Sequence, residues 1–307
     1  MELNNNIINN LFDKVISFVD NDLNIYNYND DIKHLLYIII PSFILKYGFK
    51  KDKIIYNTFK NVPIMQTRKE ELYHQAYYTS IPKYDNNEIK TYKFININWY
   101  DTKNYIEIID NIVHEYNHAI NSELNEILLK DKYIYLRTGL TYRKYNKDLT
   151  PIGKDKAYIL EEIINTKQTE EVIEVINSLN KFDISNYSIS TTLSSVSNHI
   201  FDKFKSNAYN LQSAICRKLL DNHTLINVLS DRRLNGNIDD IRDFFDNITG
   251  IDNSYYKLIN YLYKTTELET EYSKKRFFKK HILDNIRSLY KDIDYIISKF
   301  NNNYIYK

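Results

Sequence analysis

The sequence predicts an α+β, helix-rich fold, with a small N-terminal mixed sheet and a largely helical C-terminal half. Three observations predict it. Gly and Pro are scarce, five and four among 307 residues, which disfavours turn-rich all-β architectures. Apolar residues recur at helical spacing over several long stretches. Between residues 51 and 100 that spacing gives way to short runs, KIIYNTF, ELYHQAYYTSI and YKFININWY, that alternate as strands do.

In chain order, residues 9–20 and 31–47 read as helices. The apolar run LLYIIIPSFIL at 35–45 is too short to span a bilayer and carries Pro41, so a buried core element is expected. In YKFININWY, Lys93, Ile95, Ile97 and Trp99 share one face of a strand, and Tyr92, Phe94, Asn96 and Asn98 the other. Residues 103–129 form a strong helical pattern: Ile109, Ile112, Val113, Tyr116, Ala119, Ile120 and Ile127 make one apolar stripe. The stretch 131–146 reads as extended, with Gly139 as a bend, and Pro151 and Gly153 open a loop. A second long helix follows at 156–179. The Ser-rich stretch 185–198 is the best linker, and helices are expected around 199–220, 238–247, 254–266 and 275–300. The expected division is a part at 1–180 that holds the sheet and both long central helices, then a helical subdomain at 181–307.

Composition excludes several functions. The formal charge is +1, so no global field favours nucleic acid or an anionic membrane. The basic run KKRFFKKH at 274–281 is balanced by Glu267, Glu269, Glu271 and Asp284, and reads as a solvated helical face. The single Cys216 rules out an internal disulfide framework and reads as a small buried thiol. No GxxxxGK[ST], GxGxxG or GxSxG motif occurs, so those chemistries lack their signatures. The N-terminal residues lack the basic and apolar regions of a secretory signal. The default is cytoplasmic, with signal-less export open.

The chemistry-bearing stretch is IVHEYNHAINSELN at 112–125. Residues four apart on a helix lie one above the other, so His114 and His118 can reach one metal ion. Glu115 is rotated by about 100° around the axis, beside such an ion and placed to take a proton from water. The apolar stripe lies well away from both histidines. They share their face with Glu107, Asn111, Asn121 and Asn125, a face that lines a cleft or faces water. Two histidines leave a catalytic zinc site one protein ligand short. A metzincin-type third ligand needs Gly at 121 and His at 124, where this chain has Asn121 and Leu124. The other source is AYILEEIINT at 157–166, near the start of the next helix, with Glu161 and Glu162 as candidates.

HEYNH followed by a helix bearing Leu-Glu-Glu-Ile-Ile resembles the gluzincin arrangement of thermolysin-like zinc metallopeptidases. That family takes its third ligand from a Glu on the helix after the HExxH helix. Aligned on that motif, Glu161 falls at the family's Asn and Glu162 at the ligand, with Glu161 the fallback. The family's Asp four residues beyond the ligand falls on Thr166, so another group would have to orient His114.

The resemblance covers residues 92–180 at most. It implies a zincin-like fold, one catalytic Zn2+ held by His114, His118 and Glu162, and Glu115 as general base. It further implies a peptide or protein substrate; from the charge and the short apolar runs, no nucleic-acid partner and no membrane span are expected. His223 is the candidate for stabilising the oxyanion, with Tyr209, His199 and Tyr142 as runners-up. TYKFININWY is either a sheet edge that captures extended peptide or an interior strand. Two other readings stand beside this one: a non-catalytic interaction module on the same fold, and a helical binding protein whose HEYNH is accidental.

Overall fold

Helices dominate the computed structural model, which describes residues 4–66, 76–98, 105–124, 126–130, 132–153, 156–179, 182, 221, 223–236, 240–274 and 279–304. The class is mixed α+β and helix-rich, with two small sheets. The chain divides into two compact units, one of Met1–Glu123 with Gln168–Phe201, the other of Leu124–Lys167 with Asp202–Lys307.

The first unit begins with α1 (Asn5–Asn21) and α2 (Asp30–Tyr47). Each is capped by an Asn: Asn4 Oδ1 accepts from Ile7 N at 3.1 Å and Asn29 Oδ1 from Ile32 N at 3.0 Å, satisfying donors that a helix start leaves open. The run at 35–45 is a buried helix. Leu35 to Ile44 are almost entirely inaccessible, with Pro41 inside α2. Among the described residues no single helix is long and apolar enough to cross a membrane.

KIIYNTF departs from the alternating reading: it lies in helix α3 (Asp52–Asn61). Its buried residues are Ile55, Thr58 and Phe59, spaced three and four apart, whereas a strand burying Ile55 and Phe59 would also bury Lys53 and Asn57. A seven-residue window holds too few apolar positions to separate the two periods.

Strands β1 (Ile64–Gln66), β2 (Ala76–Asp85) and β3 (Glu88–Ile97) follow, in sheet order β1-β3-β2. β1 runs parallel to β3, and β2 pairs antiparallel from Ala76↔Ile97 to Asp85↔Glu88. Asn86 and Asn87 join β2 to β3, both at positive φ, 49° and 66°, the backbone that a tight two-residue hairpin turn requires. Trp99 and the ELYHQ part of the earlier run lie outside the described residues.

Helix α4 (Tyr105–Ile120) carries the apolar stripe. Ile109, Ile112, Val113, Tyr116, Ala119 and Ile120 are all at most 1 % exposed. Tyr116 stacks on Phe59 and donates its hydroxyl to Val62 O at 2.8 Å. The helix stops earlier than the stripe suggests. Asn121 Nδ2 and Ser122 Oγ donate to Asn117 O and His118 O, at 2.7 and 2.6 Å, taking up carbonyls of the last turn. Ile127 lies in strand β4 (Ile127–Lys130), which belongs to the second unit.

In that unit β4, β5 (Tyr133–Thr138), β6 (Thr141–Tyr145) and β7 (Pro151–Ile152) form an antiparallel meander. The bend between β5 and β6 falls at Gly139, with φ +55°. Helix α5 (Tyr158–Ser178) follows and is continuous; its residues to Lys167 belong to this unit and those from Gln168 to the first. Helix α6 (His223–Asn235) has no counterpart in the sequence reading. α7 (Ile241–Thr249), α8 (Ser254–Lys274) and α9 (Lys279–Tyr304) correspond to the last three expected helices. The core of this unit joins Leu160, Ile163 and Ile164 of α5 to Leu229, Phe245, Leu258, Ile297 and Phe300. The proposed linker at 185–198 and the helix at 199–220 lie outside the described residues.

Tyr28 and Tyr116 tie the first sheet to the helices. Tyr28 Oη accepts from Ile64 N at 2.8 Å, and burial raises both phenols above their ordinary value. A folded pKa above the unfolded value means that this stabilisation is complete below about pH 10 and is lost as pH rises beyond it. Urea unfolding between pH 8 and 11 should therefore show stability falling above pH 10. Tyr116→Phe should flatten that slope, measured against wild type at each pH.

Candidate metal centre

The second face of α4 is polar and buried. Glu115 is 8 % exposed, His118 5 %, and Asn117 and Asn121 are fully inaccessible; His114 is half-buried. Burial excludes the solvated-face reading for residues 115–121, because a buried polar face must find partners inside the protein. The imidazoles of His114 and His118 meet edge-to-face, with ring centroids 5.0 Å apart.

The partner for this face is α5. Asn117 Nδ2 donates to Thr169 Oγ1 at 3.1 Å, and Asn121 Nδ2 to Gln168 Oε1 at 3.3 Å. Further toward its N-terminus the same helix carries Glu162. His114, His118 and Glu162 each offer a ligand atom, and all these atoms lie within 4.8 Å of one another. Donors arranged tetrahedrally about 2 Å from zinc lie about 3.3 Å apart. Side-chain adjustments of about 1 Å would therefore close the three around one ion, and the donor set of two imidazoles and a carboxylate suits zinc.

Glu161 is committed elsewhere. It is 2 % exposed, pairs with Arg233, and accepts from Leu140 N at 2.8 Å through Oε2. Arg233 also donates to Asn165 Oδ1 at 3.1 Å. A Cβ at Gly139 would run into the Glu161 carboxylate, so glycine is needed there for space as well as for its positive φ. Beside this pair Arg137 is fully buried, donating to the carbonyls of Leu124, Gly139 and Arg233 at 2.9, 2.8 and 2.9 Å. Burial lowers its guanidinium to about 10. Consecutive helix residues point about 100° apart, so Glu161 and Glu162 meet different surroundings. The sequence held no sign of Arg137 or Arg233, because their partners are backbone carbonyls and an acid far along the chain.

Glu115 is held from the sheet: Tyr78 N donates to its Oε2 at 2.6 Å. Tyr78 is in β2, the outer strand of its sheet among the described residues, while β3 is central. TYKFININWY therefore contributes an interior strand and not the peptide-capturing edge. Pro82 in β2 accords with an outer position, because proline has no N–H for a second neighbour.

The other candidates are not gathered around the imidazoles by anything described. His223 is the first residue of α6, and its side chain lies outside the described part of the structure, as do His199 and Tyr209 altogether. Tyr142 packs against the core of the second unit, edge-on to Tyr135. Thr166, at the position of the family's Asp, is 4 % exposed.

Comparison with models of known protein families, with curated proteins and with solved structures found no match to this chain.

The two neighbouring glutamates should separate cleanly in denaturant. Glu161→Leu leaves the Arg233 charge buried without its acid and should cost about 3–5 kcal/mol. Glu162→Gln in metal-free protein should cost less than this, because Glu162 is only half-buried and the amide keeps its shape. Urea titrations followed by circular dichroism measure both.

Proposed function

We propose that this protein is a zinc-dependent peptidase, with His114, His118 and Glu162 as zinc ligands and Glu115 as general base. The observation that carries the reading is the convergence of the three donor atoms within 4.8 Å, with a buried carboxylate on the adjacent helix position. The resemblance of HEYNH and LEEII to the gluzincin pattern adds to it.

Zinc bound by these residues would supply Lewis acidity, polarising the peptide carbonyl and acidifying water. The chain's own groups do the rest. The imidazoles bind as neutral bases, and the Glu162 carboxylate contributes one negative charge. Glu115 takes the proton of the attacking water and returns it to the leaving amine. The Tyr78 amide fixes one of its oxygens, so the carboxylate is aimed before substrate arrives. Burial strengthens these electrostatic interactions relative to water. An extended peptide paired along β2 would lie beside Glu115 and gain affinity from main-chain hydrogen bonds.

Protein purified without a histidine tag should contain about one zinc per chain by elemental analysis. His114→Ala, His118→Ala and Glu162→Gln should each abolish that stoichiometry. Glu115→Gln should keep the metal while cleavage of a peptide library drops about 10²- to 10⁴-fold. Iron in place of zinc contradicts the hydrolase reading. Zinc with no cleavage by wild type favours a non-catalytic interaction module, and unchanged cleavage by Glu115→Gln removes Glu115 as the base.

A further inference from the structure

We infer that Tyr47, Asn117, Asn121, Gln168 and Thr169 form a positioning layer that sets the placement of Glu162 against the two imidazoles. The inference rests on the zinc reading above and assigns it residues that do not touch the ion. Asn117, Asn121 and Gln168 are fully inaccessible and Thr169 is 1 % exposed. Their contacts link α2, α4 and α5. Tyr47 Oη donates to Asn117 Oδ1 at 2.7 Å and accepts from Asn121 Nδ2 at 3.3 Å. Asn117 Nδ2 reaches Thr169 Oγ1 at 3.1 Å, and Asn121 Nδ2 reaches Gln168 Oε1 at 3.3 Å. An ion pair between Lys46 and Glu171 sits next along α2 and α5.

The placement of this layer relates it to the ligands. Asn117, on α4, precedes His118, and Asn121, just past the end of that helix, follows it by three residues. On α5, Thr169 follows Glu162 by seven residues, about 20° short of two full turns, so the two share a face. A slide of α5 by one residue would move Glu162 about 1.5 Å along the axis and about 100° around it. Metal bonds tolerate only about 0.2 Å. Apolar side chains repack when helices slide. Buried amides and hydroxyls have partners in one register only. The layer thus does for α5 what a hydrogen bond to a ligand does for that ligand: it limits the positions the donor can take.

Thr169→Val tests this, because it removes the hydroxyl and keeps the shape; Thr169→Ser keeps the hydroxyl. Zinc affinity is read by chelator competition, and site geometry by the visible absorption of the Co(II)-substituted protein. Thr169→Val should weaken zinc binding about ten-fold and shift the Co(II) bands, and Thr169→Ser should restore both. Tyr47→Phe, which removes the hydroxyl at the other end of the layer, should act in the same direction and serves if Thr169→Val fails to fold. Wild-type affinity and spectrum in Thr169→Val and in Tyr47→Phe, whatever their melting temperatures, overturn the inference and leave the zinc reading intact. A wild-type protein that takes up no zinc overturns both.

Discussion

The constraint from which the rest follows is that α4 is buried on two unlike faces. One is the apolar stripe from Ile109 to Ile120, whose burial drives the helix into the first unit. The other carries Glu115, Asn117, His118 and Asn121, all nearly inaccessible. Leaving a buried polar group without a partner costs about 1–3 kcal/mol, so this face selects a polar surface to pack against. Gln168 and Thr169 of α5 provide part of it. The helix that satisfies the amides of α4 is the helix that carries Glu162.

Two adjacent acids on α5 then serve different ends. Glu161 closes a buried network with Arg233, Asn165 and Leu140 N, under a Gly139 that leaves room for its carboxylate. A buried ion pair stabilises little beyond what an apolar pair would, but losing one member is expensive. Its contribution is therefore chiefly to specify how the first turns of α5 sit on the β5–β6 hairpin. Glu162, turned by about 100°, lies with the imidazoles. Glu115 is oriented from a third direction, by the amide of Tyr78.

Much of this was legible in the sequence, for identifiable reasons. The pairing of His114 with His118 needs only helical periodicity, and the stripe from Ile109 to Ile120 is long enough to establish it. The choice between Glu161 and Glu162 was not legible from the chain itself, because it depends on Arg233, 72 residues beyond Glu161. α3 was hidden by its shortness. The end of α4 was hidden because Ile127 happens to fit the helical stripe, whereas the stop comes from Asn121 and Ser122 bonding back to the last turn. The central position of β3 follows from long-range pairing with β1, which alternation within one strand does not encode.

Diffraction at the zinc absorption edge, from crystals grown with zinc, tests the convergence of the three donors directly. A single anomalous peak is expected about 2.0–2.2 Å from a ring nitrogen of His114, a ring nitrogen of His118 and a carboxylate oxygen of Glu162. A peak bound elsewhere, or one ligated by the histidines with Glu162 turned away, would contradict it.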